Sequence, residues 1–327
     1  MEALLSGIVV VAIGWLILPR WTLIVSLAQK DLALFAMSAL AIVVLWLPVV
    51  LIGHSTTIAG ERYWWLGDDA MISMRYARHV ADGLGLVWNP SGERVEGYTN
   101  FLWTIYIALV HLLPVSSSKT SLVILLTNII LAIATIPIII RLIRILGGSE
   151  LVTVATLVAY VLNKNTMAWT TAGLETTLLT LLFLLSTFRV VKEAQQRKPS
   201  LLTFMLIGVM SLVRADAVVL SALLYTLSVL LNKNRKLVVV YSVLSLALPI
   251  AHEIFRVSYY GDVLPNTAYL KTLNWNGRYI AGLQYVLDFA KHYPFAIGFA
   301  LVGSLLSQQR SRLYLLAVVL AYMAVSY

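Results

Sequence analysis

The sequence predicts an all-α polytopic membrane protein, a bundle of about ten transmembrane helices, on three observations. Of its 327 residues, 60% are hydrophobic and only 12% are charged, against about 25% charged in an average soluble domain. Long apolar runs such as 32–53 and 121–140 carry almost no charge, as a helix in hydrocarbon requires. Lys and Arg gather in short loops between those runs, the pattern of cytoplasmic loops in a multi-pass chain.

Bulk composition also excludes several function classes. The chain has no cysteine, so disulfides, thiolate metal sites and a cysteine nucleophile are out. The net charge of +9 is scattered through loops, where it fixes topology and meets anionic lipid heads. No basic stripe exists for counterion release to act on, which argues against nucleic acid. Met1-Glu2-Ala3 lacks the positive start of a cleaved signal peptide, so 3–19 reads as a retained first helix.

Taken in order, the apolar spans fall at 3–19, 32–52, 121–141, 150–163, 172–190, 200–214, 216–231, 237–256, 293–307 and 312–327. If the loop with Arg20 and Lys30 is cytoplasmic, alternation puts Arg141/Arg144, Arg189/Lys192/Arg197/Lys198, Lys233/Arg235/Lys236 and Arg310/Arg312 on the same side. The opposite side then receives a first long loop, 54–120, the 163–171 turn and a later loop, 257–292. This alternation closes only if 101–115 does not cross. That segment is short and carries Trp103, Tyr106 and His111, so it reads as an interfacial helix. The whole chain, 1–327, reads as a single transmembrane domain without an internal repeat. It stops at Tyr327 inside an apolar run, which reads as a short last helix or as a fragment of something longer.

The first outer loop concentrates the chemistry. Gly67-Asp68-Asp69 precedes a helical pattern from Ala70 to Asp82, stopped by Gly83. Ile72, Tyr76 and Val80 share one face, with Arg75, Arg78 and Asp82 on a neighbouring arc. That describes an amphipathic juxtamembrane helix lying on the membrane. Asp68 and Asp69 have a structural reading, as a cap and a first-turn acid complementing the helix dipole. They also have a chemical one. They sit just beyond a membrane exit, arginines follow, and a polar cluster with Glu93, Arg94, Glu96, Tyr98 and Asn100 returns to the membrane. An acid there accepts a proton while Arg75 or Arg78 receives an anion. The adjacent carboxylates also leave room for a divalent metal, without a full ligand set beside them. Gly83, Gly85 and Gly92 stop a helix and shape turns rather than cradle phosphate, since no strand precedes them.

Other polar residues interrupt the apolar chain. Glu175 lies near the outer end of a span, where an intramembrane acid costs about 2.5–3.5 kcal/mol and marks a functional candidate; the alternative is an interfacial acid at a helix start. Arg214 and Asp216 form an ion pair at a tight outer turn or contact a substrate phosphate. Asn266 and Lys271 follow a turn in the later outer loop, where Lys271 meets a phosphate or lipid heads. His79, His111, His252 and His292 lack metal-ligand spacing.

Four stretches carry a resemblance. GDDAMISMRYARHVADGLGLVWNPSGERVEGYTNFLW at 67–103 resembles the first periplasmic loop of the GT-C glycosyltransferases similar to terminal β-(1→2)-arabinofuranosyltransferase. AGLETTLL at 172–179, LVRADAVVL at 212–220 and YGDVLPNTAYLK at 260–271 follow in that family's order. The resemblance spans roughly 60–275. It implies a GT-C-like transmembrane bundle, multi-pass in the inner (plasma) membrane, with its site facing the periplasm. It implies transfer of a sugar from a polyprenyl-phosphate donor to a cell-envelope glycan or lipid acceptor, with inversion. Asp68 and Asp69 match the family's general base; Glu96, Tyr98 and Asn100 match a donor or acceptor contact; Glu175 matches the acid of the second outer loop. Arg75, Arg78, Arg214, Asn266 and Lys271 are the matching candidates for binding substrate. The chain departs at Arg214-Ala215-Asp216, where the family usually has Arg-Pro before an acid, and at Thr177, where it often has proline. Two rival readings are an inactive or truncated relative that binds lipid or a partner enzyme, and a transporter or flippase. The latter predicts charges at mid-span, whereas here they lie at outer ends.

Overall fold

The computed structural model describes residues 29–272, together with 280, 282–284, 287, 288 and 291. The spans expected at 3–19, 293–307 and 312–327 lie outside the described residues, as does His292. The chain divides into units 1–185 and 186–327, the division falling inside one helix.

In the first unit, α1 (Gln29–Pro48) is apolar after a polar first turn that holds Asp31, where the dipole favours an acid. Pro48 cannot donate to the residue four before it. The helix widens there into a π-turn, Val49–Gly53. A hairpin follows, β1 (Ser55–Ile58) against antiparallel β2 (Glu61–Trp64). It turns on Ala59 and Gly60, both at positive φ (50° and 83°), the backbone that a tight hairpin needs. The hairpin departs from the all-helical expectation: strands this short show too little alternation to read. Ser118 Oγ donates to Glu61 Oε1 at 2.7 Å, tying the hairpin to the next long helix.

Next come α2 (Asp68–Ala81), an irregular stretch, and α3 (Phe101–His111). The buried face of α2 is Ala70, Ser73, Tyr76 and Ala77. It packs on α3, which buries Trp103, Thr104, Ile107 and Ala108. The helix is amphipathic as expected, but its inner face meets protein rather than lipid, and Ile72 and Val80 are only half-buried. With 11 residues, α3 rises about 16 Å, too short to cross.

The long α4 (Ser117–Ile145) is buried along most of its length. It packs on α1, where Ile42 and Trp46 are fully buried. Arg144 at its end donates to Asp31 at 2.7 Å. α5 (Glu150–Leu162), α6 (Lys164–Thr171) and α7 (Thr176–Gln196) follow. Trp46 Nε1 donates to Val161 O at 3.0 Å, fastening α1 to α5. Asn163 caps α6 by accepting from Thr166 N at 2.9 Å.

The second unit takes the rest of α7 with α8 (Leu201–Val213), α9 (Ala217–Leu231), α10 (Arg235–Ser245), α11 (Ala247–Tyr260) and α12 (Asn266–Thr272). The turn between α7 and α8 is held by a buried knot. Arg189 donates to Glu193 and Thr203, and Ser200 N donates to Glu193. α8 crosses α10 closely: a Cβ on Gly208 would lie 2.6 Å from Ser245 O, the small-residue contact that lets membrane helices approach.

The protein is therefore a helical membrane protein. Among the described residues, α1 with its π-turn, α4, and α10 with α11 make 3 helices long and apolar enough to cross a membrane. The pair α6 and α7, bent by 118°, adds a fourth if it is one broken span. α5, α8 and α9 are apolar but fall short of the roughly twenty residues a crossing needs, so the described residues do not confirm the expectation of about ten crossings.

Candidate active site

Asp68 and Asp69 open α2, and Arg78 lies in its last turn, each charge complementing its end of the dipole. Both acids are exposed. Helical geometry sends them different ways. Asp68 shares a stripe with Arg75 and Asp82, at seven-residue steps, and all three are exposed. Asp69 lies four residues before Ser73 and seven before Tyr76, on the side that packs against α3.

The arginines of α2 already have partners. Arg75 donates to Trp88 O at 2.9 Å and to Asn89 Oδ1 at 3.0 Å, and its guanidinium lies 4.2 Å from the Trp88 ring centre. It clamps the loop after α2. Arg78 sits 3.7 Å from Asp82 in an exposed pair.

Tyr76 organises the return segment. Its hydroxyl donates to Val95 O at 2.6 Å and accepts from Gly97 N at 2.9 Å. Its ring meets Tyr98 edge-on, with centres 4.9 Å apart. Burial raises the Tyr76 phenol above its ordinary value, with Glu96 adding to the rise and the Gly97 N–H and Arg75 opposing it. Glu96, Tyr98 and Asn100 are all buried. At the far end of α2, burial and then the charge of Arg78 lower His111, against a smaller opposing pull from Asp82.

Glu175 follows the break between α6 and α7 and is only 4% exposed, enclosed by the protein itself. Asn100 Nδ2 donates to Glu175 Oε2 at 2.7 Å. Asn100 Oδ1 accepts from Ser73 Oγ at 2.8 Å and from Thr104 Oγ1 at 3.0 Å. The break frees backbone carbonyls, and each is met. Gly67 N reaches Ala172 O at 2.7 Å, Trp103 Nε1 reaches Gly173 O at 3.0 Å, and Asn128 Nδ2 reaches Leu174 O at 2.9 Å. Gly173 has φ +83°, and a Cβ there would lie 2.6 Å from Leu66 Cδ2. Residues 172–175 thus hold α2 on both sides of the acids, at Gly67 and through Asn100 at Ser73.

The structure thus joins Glu96, Tyr98, Asn100 and Glu175 to the face of α2 that carries Ser73 and Tyr76, and places Asp68 and Asp69, exposed, at the start of that helix with Arg75 and Arg78 further along it. Arg214, Asn266 and Lys271 belong to the second unit. There Arg214 forms an exposed pair with Asp216 at 2.8 Å. Asn266 opens α12, and the Lys271 side chain lies outside the described residues. Among the described residues no group of three or more His, Asp or Glu stands close enough to hold a metal ion; Asp68 and Asp69 alone offer an incomplete oxygen set.

Sequence reasoning missed Ser73 and Tyr76 as polar anchors. For Ser73, the only signal is its spacing from Asp69. It also missed Arg256, which is buried on α11 and donates to Glu253; charges inside the 237–256 run were the available signal.

The chain is similar to two proteins named terminal β-(1→2)-arabinofuranosyltransferase. That of Corynebacterium glutamicum is 29% identical over 271 residues, covering 75% of this chain and 38% of that protein. That of Mycobacterium tuberculosis is 26% identical over 297 residues, covering 85% of this chain and 46% of that protein. The chain spans less than half the length of either relative. No protein-family model matches it, and no solved structure does. The resemblance drawn from the motifs is upheld: the chain is similar to proteins named as arabinofuranosyltransferases.

Proposed function

We propose that this protein is a glycosyltransferase that moves a sugar from a polyprenyl-phosphate donor to a cell-envelope glycan or lipid acceptor. The names of its relatives favour arabinofuranose. Its site faces the periplasmic side of the inner (plasma) membrane, opposite the short basic loops. The observation that carries this reading is the joining of the acid-bearing end of α2 to the buried Glu175 turn, through Gly67 and through Asn100.

The chemistry follows from these groups. An acceptor hydroxyl attacks the anomeric carbon, and the carbon–phosphate oxygen bond breaks. A carboxylate of the Asp68–Asp69 pair takes the hydroxyl proton. The leaving phosphate takes the bonding electrons, and its charge calls for a guanidinium: Arg75 or Arg78 would exchange its present partner, the Trp88–Asn89 turn or Asp82, for it. A single displacement of this kind inverts the anomeric centre. The donor arrives by way of the bilayer. A groove of about 240 Å³ between α1 and α5, lined by Leu34, Met37, Leu45, Val154, Leu157 and Val161, offers hydrocarbon walls for an isoprenoid tail.

The test uses membranes containing the full chain, a synthetic short-chain polyprenyl-phosphoryl arabinofuranose and an arabinofuranosyl disaccharide. Asp68→Asn and Asp69→Asn are assayed singly. At least one should lose about a hundredfold or more in rate, the contribution of a positioned base. Full transfer by both variants refutes the base assignment. NMR of the product reads the configuration. Retention would mean that a carboxylate attacks carbon rather than removing a proton.

A further inference from the structure

We infer that Asp69, rather than Asp68, is the base, and that Ser73, Asn100 and Glu175 are positioning residues that hold it. This rests on the glycosyltransferase reading above. The argument begins with the buried carboxylate. Ionised, it only accepts hydrogen bonds. Asn100 must therefore turn its NH2 toward Glu175, as observed at 2.7 Å. Its amide oxygen then faces the other way, toward the hydroxyls of Ser73 and Thr104. Ser73 must in turn donate, which fixes its rotamer and the roll of α2 about its axis. With Glu175 accepting, the direction of each bond in the chain follows from the Asn100 amide.

That roll controls the two acids unequally. Asp69 stands one turn from Ser73 on the same side. A rotation that releases Ser73 moves Asp69, which shares its side of the helix, relative to α3. Asp68 lies on the exposed stripe with Arg75, which the Trp88–Asn89 clamp holds instead.

The experiment uses the full chain in membranes with the same synthetic donor and disaccharide. Glu175→Gln keeps the shape and hydrogen-bonding capacity of the site but can donate as well as accept, so a merely structural role survives it. We expect Glu175→Gln and Ser73→Ala each to lower kcat about tenfold with donor KM unchanged, since small misplacements of a reacting group cost rate rather than binding. The double variant should lose about tenfold, not a hundredfold, because both act through one chain. Ser73→Thr, which restores a hydroxyl, should recover most of kcat. If Ser73→Ala fails to accumulate, Ser73→Cys carries the same test in a chain without native cysteine. Multiplying losses, or losses confined to donor KM, would overturn the positioning role. Loss of transfer in Asp68→Asn with Asp69→Asn active overturns the choice of Asp69 and leaves the enzyme reading intact. Full transfer by both Asn variants overturns the base reading itself.

Discussion

Replacing Tyr76 with Phe removes one oxygen from a side chain that is 1% exposed. The ring contacts to Tyr98 and Trp88 remain, so the perturbation is polar and leaves no large cavity. Two backbone groups lose their partner: the Val95 carbonyl, which accepts at 2.6 Å, and the Gly97 N–H, which donates at 2.9 Å. A buried polar group left unmade costs about 1–3 kcal/mol. Taking the low end for each, because the return segment can admit water, gives about 2 kcal/mol. That is about a thirtyfold rise in the open population of the loop. Trypsin cleavage after the exposed Arg94 reads that population directly when closing is fast. Cleavage less than about threefold faster than in the parent would refute the hydrogen-bond accounting. The same phenol predicts a pH limit. Its folded value is raised above the ordinary 10.0. Its contribution is therefore complete below pH 10 and declines as pH rises through the folded value. Protection of Arg94 should fall in that alkaline range, and fall less in the Phe variant.

Further perturbations should separate the other supports. Gly173→Ala places a Cβ against Leu66 and forces alanine to positive φ, costing about 1–3 kcal/mol; adding Leu66→Ala should recover the steric part of transfer activity but not the backbone part. Asp31→Asn leaves Arg144 without its partly buried partner and should lower thermal stability in detergent by about 1–3 kcal/mol, whereas breaking the exposed Lys30–Glu150 pair should be nearly silent. Because the chain has no cysteine, single substitutions map sidedness: Met71→Cys and Val263→Cys should react with an impermeant maleimide from outside intact cells, Lys233→Cys only after permeabilisation, and the reverse result would invert the proposed topology.

Much of the architecture was legible because lipid imposes a coarse code. The helix after Gly67, its stop near Gly83 and the short α3 follow from periodicity and length. The paired helices α8 and α9 follow from the polar turn at Arg214 and Asp216. The hairpin was hidden because strands of four residues show hardly two periods of alternation. The depth of Glu175 was hidden for another reason. Its burial depends on a bend at 172–175 that forms only because donors arrive from Gly67, Trp103 and Asn128. Local spacing carries no sign of donors so distant in the chain. Arg75 and Arg78 were legible as guanidinium groups on a polar arc, but their engagement by the Trp88–Asn89 turn and by Asp82 was not. Asn163 and Asn234 each cap a helix, a role that the residue type suits but that neighbouring residues alone did not single out.

The carbonyls of Ala172, Gly173 and Leu174 act as a proofreading step for assembly. Each waits for a donor from a different stretch of the chain: the loop before α2, the middle of α3, and α4. That turn is largely buried in the protein, so little water stands in for a missing donor. If any one of those stretches docks askew, an oxygen is stranded and the kinked arrangement loses to a straight helix that satisfies its own backbone. Correct docking of all three is therefore checked at a single place, the turn that ends at Glu175.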